Sequence, residues 1–329
     1  MINRVLLYNS GGGIGDSLQI LPLIETLKSE FKNANFYYLS AHENHFSTTL
    51  KDFNTHINYL DLNIKYFGFR WWHALIVKKR FKDQKIETFD LIIDLQSKLR
   101  NSLILKMIPH KFFISSCLNF LLTKPSLTIK KDKKINNTIL KSINMMFKKN
   151  CELCEFDTKK INKKFFTESE KLLPKNNYVG FSITQGNVYR KKEWPLKNVV
   201  DLSNELIKNK KIPVFLIEKK NIELKNKIKK LIPLALFPEH ETNISSPALV
   251  TCLAKRLEFV VTIDNGIMHM ISLAKIPLIA LFGPTESEKF APEYEGSIIL
   301  DSKKLYSSKD VSKISVEDVL QAAKQFSSF

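Results

Sequence analysis

The chain has 329 residues, of which 44% are hydrophobic, enough for two cores of ordinary domain size. No apolar run reaches the roughly 20 residues that cross a bilayer, and the opening MINRVLLYNSGGG lacks the apolar segment and cleavage site of a secretory leader, so a cytoplasmic chain is expected and a membrane-spanning one excluded. The 51 Lys and Arg against 33 Asp and Glu give a net charge of +18, but no zinc-finger, RNA-recognition or helix-turn-helix signature assigns it to nucleic acid.

The excess is uneven. Residues 1–175 hold 29 basic and 16 acidic residues, and the remainder hold 22 and 17. Two readings stand: a solvated lysine-rich composition, or attraction to an anionic glycolipid or membrane surface.

Val5 to Tyr8 reads as a first buried strand, followed by the glycine-rich Asn9–Ser17 and an amphipathic helix from Leu18 to Phe31. Pro22 falls in that helix's first turn, where a missing N–H is tolerated. The loop is not a P-loop, since no Gly-Lys-Ser/Thr follows. Asp16 stands where the third glycine of G-x-G-x-x-G belongs, which disfavours a dinucleotide oxidoreductase. At the helix start Asp16 also suits a cap.

Asn35–Ser40 is expected as the next strand, then a short strand at Ile57–Leu60; for His42 and His45 between them a solvated loop is the favoured reading and substrate contact the alternative. Residues 65–82 mix aromatics with Arg70, Lys78, Lys79, Arg80 and Lys82. Such a segment suits a membrane surface or an acceptor groove; an amphipathic helix with its aromatics in the core is the favoured reading. Phe89–Leu95 is a strong buried strand, leading into Asp94–Ser102. Residues 103–175 show no motif, and Lys130–Lys134 reads as an exposed loop. Cys151 and Cys154 form a lone C-x-x-C; a zinc site needs about four ligands, so reduced thiols and no metal are expected. A linker is expected near Pro174–Asn177.

Tyr178–Ile183 opens the second half as a strand, with the loop Thr184–Asn187 behind it. Lys192-Glu193-Trp194-Pro195 precedes a helix from Asn198 to Lys208. Ile212–Ile217 is a strand ended by Glu218, and Glu223 opens the next helix. Leu249–Ala254 is helical. Residues 259–292 then read as strand, Asp264-Asn265-Gly266 turn, helix, strand, and the turn Gly283-Pro284-Thr285. That is the form of a nucleotide-binding α/β half-domain, whose ligands sit outside the carboxyl ends of parallel strands. The free N–H groups and dipole of the helix after Gly266 favour a phosphate, and His269, one turn in, points back at the same anion. Ser315-Val-Glu-Asp318 caps a last helix to about Phe326.

Four blocks together resemble the bacterial lipopolysaccharide heptosyltransferases, glycosyltransferase family nine: Gly15-Asp16 through Pro22, Asp94 to Arg100, Lys192 to Pro195, and Asp264 to Thr285. Asn265 departs from the usual Thr or Ser, Ser97 from Gly, and Asn101 from Ser. The resemblance implies an α/β chain of GT-B type, two Rossmann-like domains facing across a cleft. Residues 1–175 take the acceptor and residues 176–329 the nucleotide sugar, with the last helix (about 315–327) crossing back to the first domain. The implied reaction is inverting, metal-independent transfer of heptose from ADP-heptose to an inner-core, lipid A–Kdo type acceptor, without a cofactor. Contact with the inner face of the cytoplasmic membrane and no nucleic-acid partner are implied.

In that scheme Asp16 is the general base. Gly15, Arg70, Lys98 and Arg100 face the acceptor. Arg100 pairs with a carboxylate or phosphate and is oriented by Asp94; a structural ion pair is the alternative. Thr184, Lys192, Glu223, Asp264, Asn265, Gly266, His269 and Thr285 face the donor, Glu223 being preferred over Glu218 for the ribose, and Thr184–Asn187 offer hydroxyl and backbone donors. Lys192 neutralises the diphosphate. Open alternatives are a same-fold transferase with another donor, a nucleotide-sugar epimerase needing different acidic groups, and a catalytically silent sugar-nucleotide or glycolipid-binding protein.

Overall fold

Near-continuous apolar runs, as opposed to alternating ones, make strands that are buried on both faces and run parallel. The computed structural model describes residues 1–186 and 188–326, and among them ten strands, most of them of this kind, form two sheets. The first comprises β1 (Arg4–Asn9), β2 (Asn35–Ser40), β3 (Asn58–Tyr59), β4 (Phe89–Asp94) and β5 (His110–Ser115), in the order β3-β2-β1-β4-β5. The second comprises β6 (Tyr178–Ser182), β7 (Ile212–Phe215), β8 (Phe259–Ile263), β9 (Leu278–Phe282) and β10 (Ser297–Asp301), in the order β10-β9-β8-β6-β7. Every pairing is parallel. Leu7 lies between Tyr38 and Ile93 in the first sheet, and Val261 between Phe181 and Ile279 in the second. Strand order reverses between β1 and β4 and again between β6 and β8. In doubly wound sheets a ligand crevice opens at that point, outside the carboxyl ends. This is the α/β, GT-B type fold of two Rossmann-like domains.

Each sheet has its own core. Leu6, Tyr8, Phe89 and Ile92 pack against Phe67, Val77 and Phe81 in the first. Phe181, Phe215, Ile263 and Leu281 pack with Trp194, Leu202 and Val319 in the second. Trp194 buries its ring and donates its indole N–H to the Ile314 carbonyl at 2.9 Å, the partner a buried indole requires. Pro195 then stands at the N-cap of the helix Leu196–Lys208.

Several expectations shift. The first helix is two, Ile14–Leu18 and Leu21–Glu30, and Pro22 lies at the start of the second. The unassigned stretch supplies β5 and the helix Ile135–Phe147. The chain divides into units at Phe156/Asp157 instead of 175/176. The helix Lys163–Leu172 explains this: Phe165 is buried, Leu173 is fully buried, and Arg256 Nε donates to the Leu173 carbonyl at 3.1 Å. With that boundary the net charges become +10 and +8, so the charge asymmetry was a property of the cut and not of the units. The last helix, Val316–Ala323, was expected to cross to the first domain. Val319, Ala322 and Ala323 are instead buried in the second unit's own core, and Ser315 and Asp318 form the expected capping box.

The second unit also buries an acid. Glu239 is 3% exposed; one carboxyl oxygen accepts from Ser245 Oγ at 2.9 Å and the other has no partner among the described residues. Burial pushes its pKa up to about 7, the Ser245 hydroxyl holding it back and the charge of Glu218 adding to the rise. The fold therefore favours the protonated acid. Its contribution is complete below the ordinary value of 4.5 and is lost as pH rises through about 7. Between pH 5 and pH 8 the wild type should lose about 2–3 kcal/mol of unfolding free energy through this group. Glu239→Gln keeps an acceptor for Ser245 and should escape the loss. Urea melts at the two pH values decide it; equal losses in both proteins refute the assignment.

Candidate functional site

In the second unit β6 and β8 end side by side, with Ser182 opposite Thr262. Asn265 binds the two ends together. Its Oδ1 accepts from the Met268 N–H at 2.9 Å, capping the helix Gly266–Ala274, while Nδ2 donates to Ser182 Oγ and the Thr184 carbonyl, both at 2.8 Å. A Ser or Thr hydroxyl has one proton and cannot serve two acceptors as this amide does. The departure from the resembled pattern thus has a structural use. Both ends of the Asn265 side chain are spent inside the protein. The helix that begins at Gly266 presents its first N–H groups and positive dipole end at the crevice. His269, one turn in, is buried.

Lys192 and Asp264, assigned separately to diphosphate and sugar, are partners here. Lys192 Nζ lies 2.5 Å from Asp264 Oδ2 and 3.1 Å from the Asp264 carbonyl, and the two side chains are 12% and 9% exposed. The Lys192 N–H donates to Gln185 Oε1 at 2.9 Å, fixing the approach of the lysine. An ammonium has three donors, so one remains for a ligand.

Beside this pair a pocket of about 780 Å³ is lined by Thr184, Gln185, Trp194, Asn221 and Glu223. Glu223 is exposed in the first turn of the helix Ile222–Leu231, while Glu218 is ion-paired to Lys220. Thr285 Oγ1 is buried without a hydrogen-bond partner among the described residues. Its loop is held by Lys303 Nζ, which donates to the carbonyls of Pro284 and Thr285 at 3.1 Å each. A Cβ at Gly283 would lie 2.8 Å from the Lys309 carbonyl oxygen, so only glycine lets the loop close there. Asn187 lies outside the described residues.

In the first unit Asp16 lies in the first turn of the helix Ile14–Leu18, half-buried, one residue after Gly15. Its carboxylate accepts from the Gly13 N–H at 3.4 Å, and a Cβ at Gly11 would lie 2.5 Å from Oδ2. Asp16 is therefore not the N-cap expected from sequence: Gly13 holds that position, and Asp16, three residues on, bonds back to its N–H. Asn9 Oδ1 accepts from the Gly11 N–H at 2.8 Å and from Gln96 Nε2 at 2.7 Å, joining the loops after β1 and β4. The two histidines assigned to solvent pack on this loop instead. His45 Nε2 is 3.4 Å from the Gly12 carbonyl, and a Cβ at Gly12 would lie 3.1 Å from the His42 ring.

Asp94 does not orient Arg100. Fully buried, it accepts from the N–H groups of Gln96 and Ser97 at 3.0 Å and from the hydroxyls of Ser102 and Ser115 at 2.5 and 2.9 Å. Burial raises its pKa against the pull of those four donors. Nor is Arg100 in an ion pair among the described residues: its Nε donates to the Gly68 carbonyl at 2.8 Å, with its guanidinium over the Phe69 ring at 5.9 Å. Phe69 in turn meets the His42 ring edge-on at 5.4 Å. Arg70 is exposed and rests on Trp72 at 5.6 Å; Lys98, at the helix N-cap before Leu99, is exposed. Burial, then the charges of Arg70 and Arg100, hold the His73 imidazole below its usual range.

Structure thus brings Asp16, Gly15, His42, Phe69 and Arg100 to one edge of the first sheet. It brings Thr184, Lys192, Asp264, Gly266 and His269 to one edge of the second. Sequence reasoning gave no role to Asn9, Gln96 or Lys303, took Gln185 only as part of the Thr184–Asn187 loop, and favoured solvent for the two histidines. Asn9 and Gln96 had a readable signal, being polar residues at or just beyond the carboxyl ends of buried strands.

A family model for glycosyltransferase family 9 (heptosyltransferase) matches residues 77–320. A search of the curated proteins finds no match. Among solved structures, the chain is similar to a glycosyl transferase family 9 protein from Veillonella parvula DSM 2008, with 16% identity, coverage of 98% of this chain and 97% of that one, and a TM-score of 0.72. It is similar to the E. coli heptosyltransferase WaaC with ADP at 16% identity, 98% and 100% coverage and a TM-score of 0.70. For the E. coli ADP-heptose lps heptosyltransferase II the values are 15%, 98% and 98%, and 0.68.

The Lys192–Asp264 pair generates a stability prediction. Lys192→Ala leaves a carboxylate uncompensated in a nearly closed site and should cost about 3–5 kcal/mol. Adding Asp264→Asn removes the orphaned charge and should restore most of it. Denaturant melts of the two single variants and the double variant test the coupling; additive losses would mean the pair does not interact energetically.

Proposed function

This chain belongs to glycosyltransferase family 9, and on that premise we propose that it moves a heptose from ADP-heptose to an anionic, inner-core lipopolysaccharide acceptor of the lipid A–Kdo type, with inversion and without a metal. The observation that carries the reading is the Lys192–Asp264 pair beside the helix N-terminus at Gly266, where β6 and β8 end. That arrangement suits a diphosphate. The ADP carried by the E. coli WaaC heptosyltransferase, and the ADP-2-deoxy-2-fluoro heptose in a second structure of it, support the donor class.

Asp16 accepts the proton of the acceptor hydroxyl, and the oxygen attacks the anomeric carbon from the face opposite the diphosphate. As that bond forms, the bond to the diphosphate oxygen breaks and its electron pair leaves with the diphosphate. The departing charge meets the third N–H of Lys192, the N–H groups at Gly266 and the ring of His269. Charge already placed where negative charge develops acts with little reorganisation, and here it replaces a divalent ion. Asp264 bonds sugar hydroxyls, Glu223 and Thr184 the ribose side, and the Thr285 hydroxyl a further donor oxygen. Arg70, Lys98 and Arg100 receive the acceptor's anionic groups, with the Gly15 backbone beside the attacking hydroxyl. An acceptor of this kind places the enzyme at the inner face of the cytoplasmic membrane.

Thermal unfolding with ADP, GDP and UDP, beside turnover of ADP-heptose, tests this. Nucleotide at 100 times its dissociation constant should add about 2.7 kcal/mol of stability, and ADP should do so at the lowest concentration. Asp16→Asn keeps an acceptor for Gly13. It should retain the ADP response while turnover falls about 10²- to 10⁴-fold. A response to GDP or UDP alone removes the heptose, and wild-type turnover in Asp16→Asn removes the base. No response to any nucleotide favours a glycolipid-binding protein.

A further inference from the structure

Between Asp61 and Asp83 the chain carries Lys65, Arg70, Lys78, Lys79, Arg80 and Lys82 and no acidic residue. The helix His73–Asp83 buries His73, Val77 and Phe81 and turns its lysines and Arg80 outward. Contrary to the core placement favoured from sequence, Trp71 and Trp72 at its N-terminal end are each 57% exposed, Tyr66 is 59% exposed and Leu75 81% exposed. They are held outward by a fixed base. Tyr8 Oη donates to the Phe67 carbonyl at 2.8 Å, the Gly68 N–H to His73 Nδ1 at 3.2 Å, and Arg100 Nε to the Gly68 carbonyl at 2.8 Å.

Large apolar groups clustered in water imply a partner. We propose that Trp71, Trp72 and Leu75, with the cations around them, dock on an anionic phospholipid bilayer. Indole rings settle at headgroup depth, and lysines on the same surface pair with lipid phosphates. Charge argues for this occupant over a second copy of the chain, since two such faces would oppose six cations with six. The proposal deepens the acceptor reading given above. The loop that bears the tryptophans is bonded to Arg100 and Tyr8 at the carboxyl ends of β4 and β1, the edge that also holds Asp16, so docking brings that edge to the surface where a glycolipid is embedded.

The test is flotation of the full-length protein with vesicles of phosphatidylcholine alone or with phosphatidylglycerol. The protein should bind the anionic vesicles only and be released by high salt. Trp71→Ala/Trp72→Ala and, separately, Lys78→Glu/Lys79→Glu should each lower the partition coefficient at least about tenfold. All four positions are exposed, so both variants should keep the wild-type melting temperature. Because Trp194 is buried and hydrogen-bonded, bilayer-induced changes in tryptophan fluorescence report positions 71 and 72. Equal partitioning of both variants overturns the proposal, as does self-association abolished by the tryptophan change without any vesicle binding. Vesicle binding needs no nucleotide, so its failure leaves the transferase reading standing, and absent turnover leaves the docking surface standing.

Discussion

When every strand in a sheet points the same way, every loop leaving a carboxyl end arrives at the same edge, and the functional layout of this protein depends on that constraint. The loops after β1 and β4 deliver Asp16 and Arg100 in one unit; those after β6 and β8 deliver Thr184, Lys192, Asp264 and Gly266 in the other. Each pair of loops flanks the place where strand order reverses and successive crossovers pass to opposite faces, leaving a crevice that no helix covers.

Each reversal point is stitched by side-chain carboxamides. Asn9 receives bonds from Gly11 and Gln96 in the first unit. Asn265 caps its helix and bonds Ser182 and Thr184 in the second. An amide carries donors and an acceptor in one rigid group, so it can span two strand ends and a helix start together. The glycines serve the same packing. Gly11 lies against the Asp16 carboxylate, Gly68 against the Tyr8 hydroxyl with φ +86°, and Gly283 against the backbone of residues 309–311. At each of these the missing Cβ is a requirement of close approach.

The high positive charge works locally. The two units carry +10 and +8, so bulk charge separates no acceptor side from a donor side. Single cations are placed instead. Lys192 is half-buried against Asp264, Lys303 ties the Thr285 loop, and Arg100 holds the Gly68 carbonyl. A buried cation with a defined partner keeps most of its interaction strength, while scattered surface lysines are screened within about 10 Å.

Sequence alone determined the α/β architecture, because apolar runs closed by glycine and polar turns are local signals that residue type records directly. It also placed Asp16, Asp264 and the helix after Gly266 in segments that follow strand ends, since a strand and the loop behind it are short-range geometry, while the roles of Asp16 and Lys192 came from the resemblance. Partners distant along the chain were beyond it: Lys192 and Asp264 are 72 residues apart, Arg100 and Gly68 32 apart. Sequence favoured the core for Trp71 and Trp72, and the structure exposes both, because hydrophobicity states a preference and burial depends on which face the neighbouring strands leave open. The boundary at residue 156 was hidden for the same reason: the helix Lys163–Leu172 carries no motif, and only its packing assigns it to the second unit. What tertiary structure decided was the set of long-range pairings, which follow from which strand ends the fold places side by side.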